Sequence, residues 1–225
     1  MAKLLIIEDS KMLCGIFENL LKKYTDFNFD IAQTYKEAED YLKKTRYEFA
    51  VADMNLPDAK HGEIIALLNK HNIAPIVFTG VFDEDFRDSF ESAHIVDYIL
   101  KERYDNIIYV IDKLKQLELN KQKTVLLVDD SHTYINYLKQ NLQLHYFKIF
   151  TASNGKEALK VLADHPEIEL MITDYHMPVM DGLELVRKVR KKINKKDLSI
   201  IVLTGETNSY TTSRFLKEGA NDYIT

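Results

Sequence analysis

Leu4-Leu5-Ile6-Ile7-Glu8-Asp9-Ser10, an apolar run closed by an acid pair and a serine, returns as Val125-Leu126-Leu127-Val128-Asp129-Asp130-Ser131. Asp9 and Asp130 lie 121 positions apart. The aspartate that closes another apolar run four residues before a proline, Asp53 to Pro57, returns at that displacement as Asp174 to Pro178. Thr79-Gly80 and Tyr98 return as Thr204-Gly205 and Tyr223, displaced by 125, so the second copy has four more residues between its aspartate and its threonine. Self-similarity at the length of a small domain identifies a tandem duplication and not a solenoid of short repeats.

The 225 residues therefore divide into a first domain at 1–118, a linker at 119–123 and a second domain at 124–225. Short β-branched runs alternate with segments of helical period in both copies. Strands are expected at 3–7, 27–32, 49–52, 73–78 and 96–100, with helices near 11–23, 35–45, 61–71, 83–93 and 104–118. The second copy repeats them with strands near 124–128, 147–152, 169–173, 199–203 and 222–225 and helices near 132–144, 155–164, 183–193 and 208–218. The strand runs of the first copy are continuously apolar or nearly so, the pattern of strands covered on both faces. Strict alternation gives the α/β class, as two tandem doubly wound, five-stranded parallel sheets. The last helix of the first copy shows Ile107, Ile108, Ile111, Leu114 and Leu117 on one stripe. The junction from Glu118 to Lys123 has neither glycine nor proline, which predicts a stiff continuation of that helix.

A composition of 46% hydrophobic and 29% charged residues belongs to a globular protein and excludes disordered and fibrous classes. The single cysteine, Cys14, cannot form an internal disulfide and is read as a small buried residue. No apolar stretch reaches the ~20 residues that span a bilayer, and the N-terminus lacks a signal-peptide core, so a cytoplasmic protein without membrane contact is expected. Residues 1–118 carry 15 Lys+Arg against 22 Asp+Glu, while 119–225 carry 15 against 13. The most basic stretch, Arg187 to Lys196, has apolar Leu183, Val186, Val189 and Ile193 at helical spacing and no interleaved aromatics. It reads as a solvated helix face, not a nucleic-acid site.

In an open α/β sheet the functional crevice lies at the carboxyl ends of the strands. There Glu8 and Asp9 follow the first strand, Asp53 the third, Thr79 the fourth and Lys101 the fifth. Three carboxylates in one crevice repel one another unless a cation sits among them. A hard divalent ion such as Mg²⁺ answers that, with oxygen ligands and phosphate oxygens around it. A threonine hydroxyl and a lysine ammonium suit the oxygens of a phosphoryl group, and an aspartate carboxylate attacking phosphorus gives an aspartyl phosphate. Ser10 and Ser131 are read as helix N-caps, and Asp83-Glu84-Asp85 as favourable charge at a helix start.

The second half reads Val128-Asp129-Asp130-Ser131, Thr173-Asp174-Tyr175-His176-Met177-Pro178-Val179-Met180-Asp181-Gly182, Leu203-Thr204-Gly205 and Gly219-Ala220-Asn221-Asp222-Tyr223. With these motifs, both halves resemble receiver domains of bacterial two-component response regulators, which have a flavodoxin-like fold. The resemblance implies that Asp174 accepts the phosphoryl group, that Asp129, Asp130 and the carbonyl of His176 serve the metal, and that Thr204 and Tyr223 form a switch pair. In the first half the same roles fall to Asp53, to Glu8, Asp9 and the carbonyl of Asn55, and to Thr79 and Tyr98, with Lys101 as the phosphate-facing cation.

Two departures stand in the first half. Glu8 replaces the commoner aspartate, and the loop from Met54 to Gly62 is one residue longer than its counterpart. In the second half a lysine three residues beyond Tyr223 would fall at 226. The resemblance therefore implies a longer protein: a lysine, a fifth helix that covers Ile224, and an output domain, with a diguanylate cyclase as the leading candidate.

The function expected is a phosphorelay input module, not itself an enzyme beyond its own phosphorylation and dephosphorylation. It is served by a sensor histidine kinase or phosphotransfer protein, with Mg²⁺ as cofactor, and it acts on an output domain or partner protein. A homodimer and a stand-alone two-receiver adaptor or scaffold stay open as alternatives. Nucleotide-binding enzymes are disfavoured, because neither G-x-x-x-x-G-K-[S/T] nor G-x-G-x-x-G occurs. Asp174-Tyr175-His176 also lacks the second aspartate of haloacid-type phosphatases.

Overall fold

The computed structural model describes residues 2–80, 94–205 and 209–225. The helix expected near 83–93, with its Asp83-Glu84-Asp85 start, lies outside the described residues. Residue contacts divide the chain into two compact units, Met1–Glu118 and Leu119–Thr225.

The first unit runs β1 (Lys3–Ile7), α1 (Lys11–Tyr24), β2 (Asn28–Ala32), α2 (Tyr35–Lys44), β3 (Phe49–Ala52), α3 (Glu63–Lys70), β4 (Ile76–Thr79), β5 (Asp97–Leu100) and α4 (Tyr104–Asn120). Its strands pair in the order β2-β1-β3-β4-β5, all parallel. The second unit runs β6 (Thr124–Val128), α5 (His132–Leu144), β7 (Lys148–Ala152), α6 (Gly155–Asp164), β8 (Leu170–Asp174), α7 (Gly182–Arg190), β9 (Ser199–Leu203), α8 (Ser209–Glu218) and β10 (Asp222–Ile224). Its sheet has the same order, β7-β6-β8-β9-β10. Both sheets are therefore the five-stranded doubly wound kind, and strand order reverses at β1/β3 and at β6/β8, where such sheets place their crevice.

Burial accounts for the apolar strands. Every residue of β3, β4 and β6 is buried, and β1 is buried from Leu4 onward. Phe17 of α1 packs edge-on against Phe78 of β4, ring centroids 5.6 Å apart. Cys14 is buried, and its thiol donates to the Glu8 carbonyl at 3.2 Å.

Several boundaries differ from expectation for identifiable reasons. The strand expected at 73–78 begins at Ile76, after Pro75, which has no N–H to donate to a ladder. Ile73 instead closes α3, its N–H donating to Leu68 O at 3.0 Å, with Asn72 at φ 58°. α3 itself starts at Glu63 because Gly62 adopts a left-handed φ of 76°. The helix expected over 183–193 stops at Arg190. There the Asn194 side chain accepts from the N–H of Lys196 and of Asp197, forming a competing turn. On α4 the buried stripe is Ile107, Val110, Ile111, Leu114 and Leu117. Val110 takes the place assigned to Ile108, because the 3.6-residue period turns the helix onto it. Among the described residues no helix is long and apolar enough to cross a membrane.

Candidate functional site

Parallel register sets the site. Ile7 pairs with Ala32 and with Ala52, so β1 and β3 end level. The next backbone bonds, Glu8 N–H to Ala32 O and Asp53 N–H to Ile7 O, both at 2.9 Å, carry the two acids out side by side. Thr79 pairs with Leu100 at the ends of β4 and β5, and the Lys101 N–H donates to Thr79 O at 2.8 Å. Four residues remote in sequence thereby meet at one strand-end crevice.

Glu8, Asp9 and Asp53 place carboxylate oxygens within 4.8 Å of one another. Glu8 and Asp53 are buried, while Asp9 is exposed. Lys101 Nζ lies 2.6 Å from Glu8 Oε2 and 2.6 Å from Asp53 Oδ2. One lysine thus bridges two buried carboxylates, with its ammonium 5.6 Å from the centroid of the Phe78 ring. Asp53 Oδ1 accepts the Asn55 N–H at 3.1 Å and Glu8 Oε1 accepts the Ser10 N–H at 3.1 Å. Burial pushes the Glu8 carboxyl above the usual carboxylate range, against the hydrogen bond and charge of Lys101, which favour its ionised form. The Thr79 hydroxyl is fully buried and has no hydrogen-bond partner among the described residues. A buried hydroxyl without a partner costs desolvation that an incoming acceptor would recover.

The second domain repeats the layout with a looser grouping. The Asp129 N–H donates to Ala152 O, and Asp174 closes β8 opposite Leu203. Asp129 is buried, Asp174 half-buried and Asp130 exposed. Among the described residues, only the first domain gathers three acidic side chains within 4.8 Å. Burial, with Asp174 and Asp130 nearby, pushes the Asp129 carboxyl up, although the Ser131 N–H donates to its Oδ1 at 2.7 Å. Thr204 is buried at the end of β9. His176 is exposed, its ring 4.2 Å from that of Tyr175. Tyr98 and Tyr223 are half-buried, each packed against its own domain's core. Ser10 and Ser131 cap α1 and α5, accepting from the N–H of Leu13 and of Tyr134.

Sequence reasoning passed over three contributors. Phe78 lies near the lysine ammonium, and an aromatic directly before Thr79 was its only signal. Gly182 opens α7 against the Asp174 loop: a Cβ there would stand 2.3 Å from the Asp174 carbonyl oxygen. Asp58, at the tip of the longer loop, accepts the N–H groups of Tyr35 and Lys36 at 2.7 and 3.0 Å, so the extra residue serves the start of α2.

Comparison with known proteins agrees with the fold. Two solved structures of two-component system response regulator/GGDEF domain proteins match the whole of this chain and 91% of theirs, at 32% identity and TM-score 0.89. The two-component response regulator ORR5 of Oryza sativa subsp. japonica is 35% identical over 100 residues, which is 44% of this chain and 75% of that protein. A chemotaxis protein CheY homolog of Campylobacter jejuni subsp. jejuni is 39% identical over 101 residues, 44% of this chain and 78% of its own length. The family profile of the response regulator receiver domain matches residues 4–111 and again 125–225. Two sheets of receiver topology, each with acids at the β1/β3-type switch point, meet two profile matches, and the chain belongs to the response regulator receiver family of two-component signalling, with two receiver domains in tandem.

Proposed function

We propose that the chain is a phosphorelay input module. It accepts a phosphoryl group from a sensor histidine kinase or phosphotransfer protein on Asp53, Asp174 or both, and changes conformation to control an output. The carrying observation is the first-domain crevice: Lys101 Nζ at 2.6 Å from both Glu8 and Asp53, with Thr79, whose buried hydroxyl has no partner among the described residues, bonded through its carbonyl to the Lys101 N–H.

The donor set fits Mg²⁺. Three carboxylates against one ammonium leave an excess of negative charge, and all ligands are oxygens. Glu8, Asp9, Asp53 and the Asn55 carbonyl would hold the ion, as would Asp129, Asp130, Asp174 and the His176 carbonyl in the second domain. When bound, Mg²⁺ supplies neutralisation of the phosphoryl oxygens. The chain's own residues do the rest. The Asn55 N–H and Lys101 hold the Asp53 carboxylate in place, one oxygen each. Its oxygen forms the bond to phosphorus as the bond to the donor's imidazole nitrogen breaks. Lys101 and the Thr79 hydroxyl then serve the phosphoryl oxygens, and Thr204 has the corresponding place beside Asp174.

The drawing-in of Thr79 or Thr204 and a shift of Tyr98 or Tyr223 would bias a two-state surface. The likeness, over all 225 residues, to solved chains named as response regulator/GGDEF domain proteins supports an output of the diguanylate cyclase class. Such a module works in the cytoplasm. An acyl phosphate with Mg²⁺ should label Asp53 and Asp174, and Asp53→Asn with Asp174→Asn should abolish labelling. Peptide mass mapping that finds the label on Glu8 or Asp129 would overturn the assignment.

A further inference from the structure

α6 and the end of α7 enclose a groove of about 300 Å³ in the second domain, floored by Leu159, Leu162, Ala163, Val189 and Ile193. Lys188, Lys191 and Lys192 form its rim. It involves the second half of α6 and the last turn of α7, whereas Asp174 precedes the first turn of α7. The groove is therefore separate from the phosphorylation crevice in sequence and in its side chains.

The rim charge exceeds what the helix end requires. One or two cations complement the partial negative charge of a helix C-terminus, yet residues 187–196 hold seven cations and no acid. Four of the seven have work within the domain. Arg187 pairs with Glu218 at 2.6 Å and Lys188 with Glu184 at 2.8 Å. Arg190 donates to Gly219 O and Asn221 Oδ1, and Lys195 to Ala220 O. Lys191 and Lys192 remain on the rim without an ion pair among the described residues. The same Arg190 bonds tie the end of α7 to the loop after α8, so the groove wall is built in place and does not need to form on binding.

We propose that this groove docks an acidic amphipathic helix of a partner protein. Leucine-like side chains at i, i+3 and i+4 enter the apolar floor, and flanking Asp or Glu side chains meet Lys191 and Lys192. The recess is concave and its floor is apolar without aromatics. A bilayer surface would touch the lysines and leave the floor empty, and a nucleic acid would find no base to stack on. A helix ridge between two helices satisfies both features together.

The test uses the isotope-labelled 225-residue chain and a capped helical peptide with leucine at i, i+3, i+4 and i+7 and glutamate at the flanking positions. Amide resonances of residues 159–163 and 188–193 should shift saturably, and affinity should fall as salt rises. Lys191→Glu with Lys192→Glu, both on exposed side chains, should weaken binding about tenfold or more while leaving the circular dichroism spectrum and acyl-phosphate labelling unchanged. The proposal fails if the peptide shifts no groove resonance, if the double variant binds it equally well, or if a lysine-flanked peptide of the same leucine pattern binds as tightly. It fails equally if anionic phosphatidylglycerol vesicles shift these resonances and the peptide does not.

Discussion

Thr79 embodies a trade between stability and chemistry. Its Oγ1 is buried and has no hydrogen-bond partner among the described residues, a state that costs about 1–3 kcal/mol in general. Valine has nearly the same shape and no hydroxyl. Thr79→Val should therefore raise unfolding stability by about 1 kcal/mol in urea titration, while slowing acyl-phosphate labelling of Asp53. A variant that is less stable and still labels at the wild-type rate would show that the hydroxyl serves the fold and not the phosphoryl group. The types and positions of these residues are legible in the sequence, because Glu8, Asp53, Thr79 and Lys101 all stand at strand ends. The exposure of Asp9 beside the burial of Glu8 is not, since both follow the same strand and only the direction of each side chain separates them.

Two contacts between elements were hidden by sequence distance. Thr34 caps α2, accepting the Glu37 N–H, and Glu37 reaches back to the Gln33 N–H one residue before the cap, a local arrangement within T-x-x-E. Asp58, 23 residues from Tyr35, adds a second cap from another loop, which no local pattern announces. Asp58→Ala should cost about 0.5–1 kcal/mol and reduce protection of the Tyr35 and Lys36 amides in hydrogen exchange. On the sheet edge, the Tyr47 hydroxyl donates to Asp30 Oδ2 at 2.6 Å and Lys3 Nζ lies 3.0 Å from the same oxygen. The Tyr47 hydrogen bond, and then Lys3, hold the Asp30 carboxyl below its ordinary value of 3.8. A depressed acid contributes stability above its unfolded value and loses it as pH falls through the folded one. Asp30→Asn should thus cost about 1 kcal/mol at neutral pH, discounted because the side chain is a third exposed. That deficit should start to shrink as pH falls below 3.8 and vanish only below the still lower folded value, measured as the difference in melting temperature across a pH series.

Each domain buries a core of its own: Leu5, Ala50, Ile64 and Val77 belong to one cluster and Leu126, Met171, Val186 and Phe215 to another. A fragment of residues 1–120, which keeps α4 whole, should unfold cooperatively by circular dichroism and still label on Asp53. A fragment that is molten, or that labels only when the second domain is attached, would contradict this. The duplication, the α/β class and the parallel sheets are decided by local quantities, namely residue type, apolar period and the displacement between repeated motifs, and these stand in the chain before it folds. The ties from Arg190 at the end of α7 to Gly219 and Asn221, the reach of Asp58 to α2 and the 48-residue span from Asp53 to Lys101 are decided only by tertiary structure. Each depends on side-chain direction and on a competing partner brought in from a distant segment, and neither exists until the sheets and helices have packed.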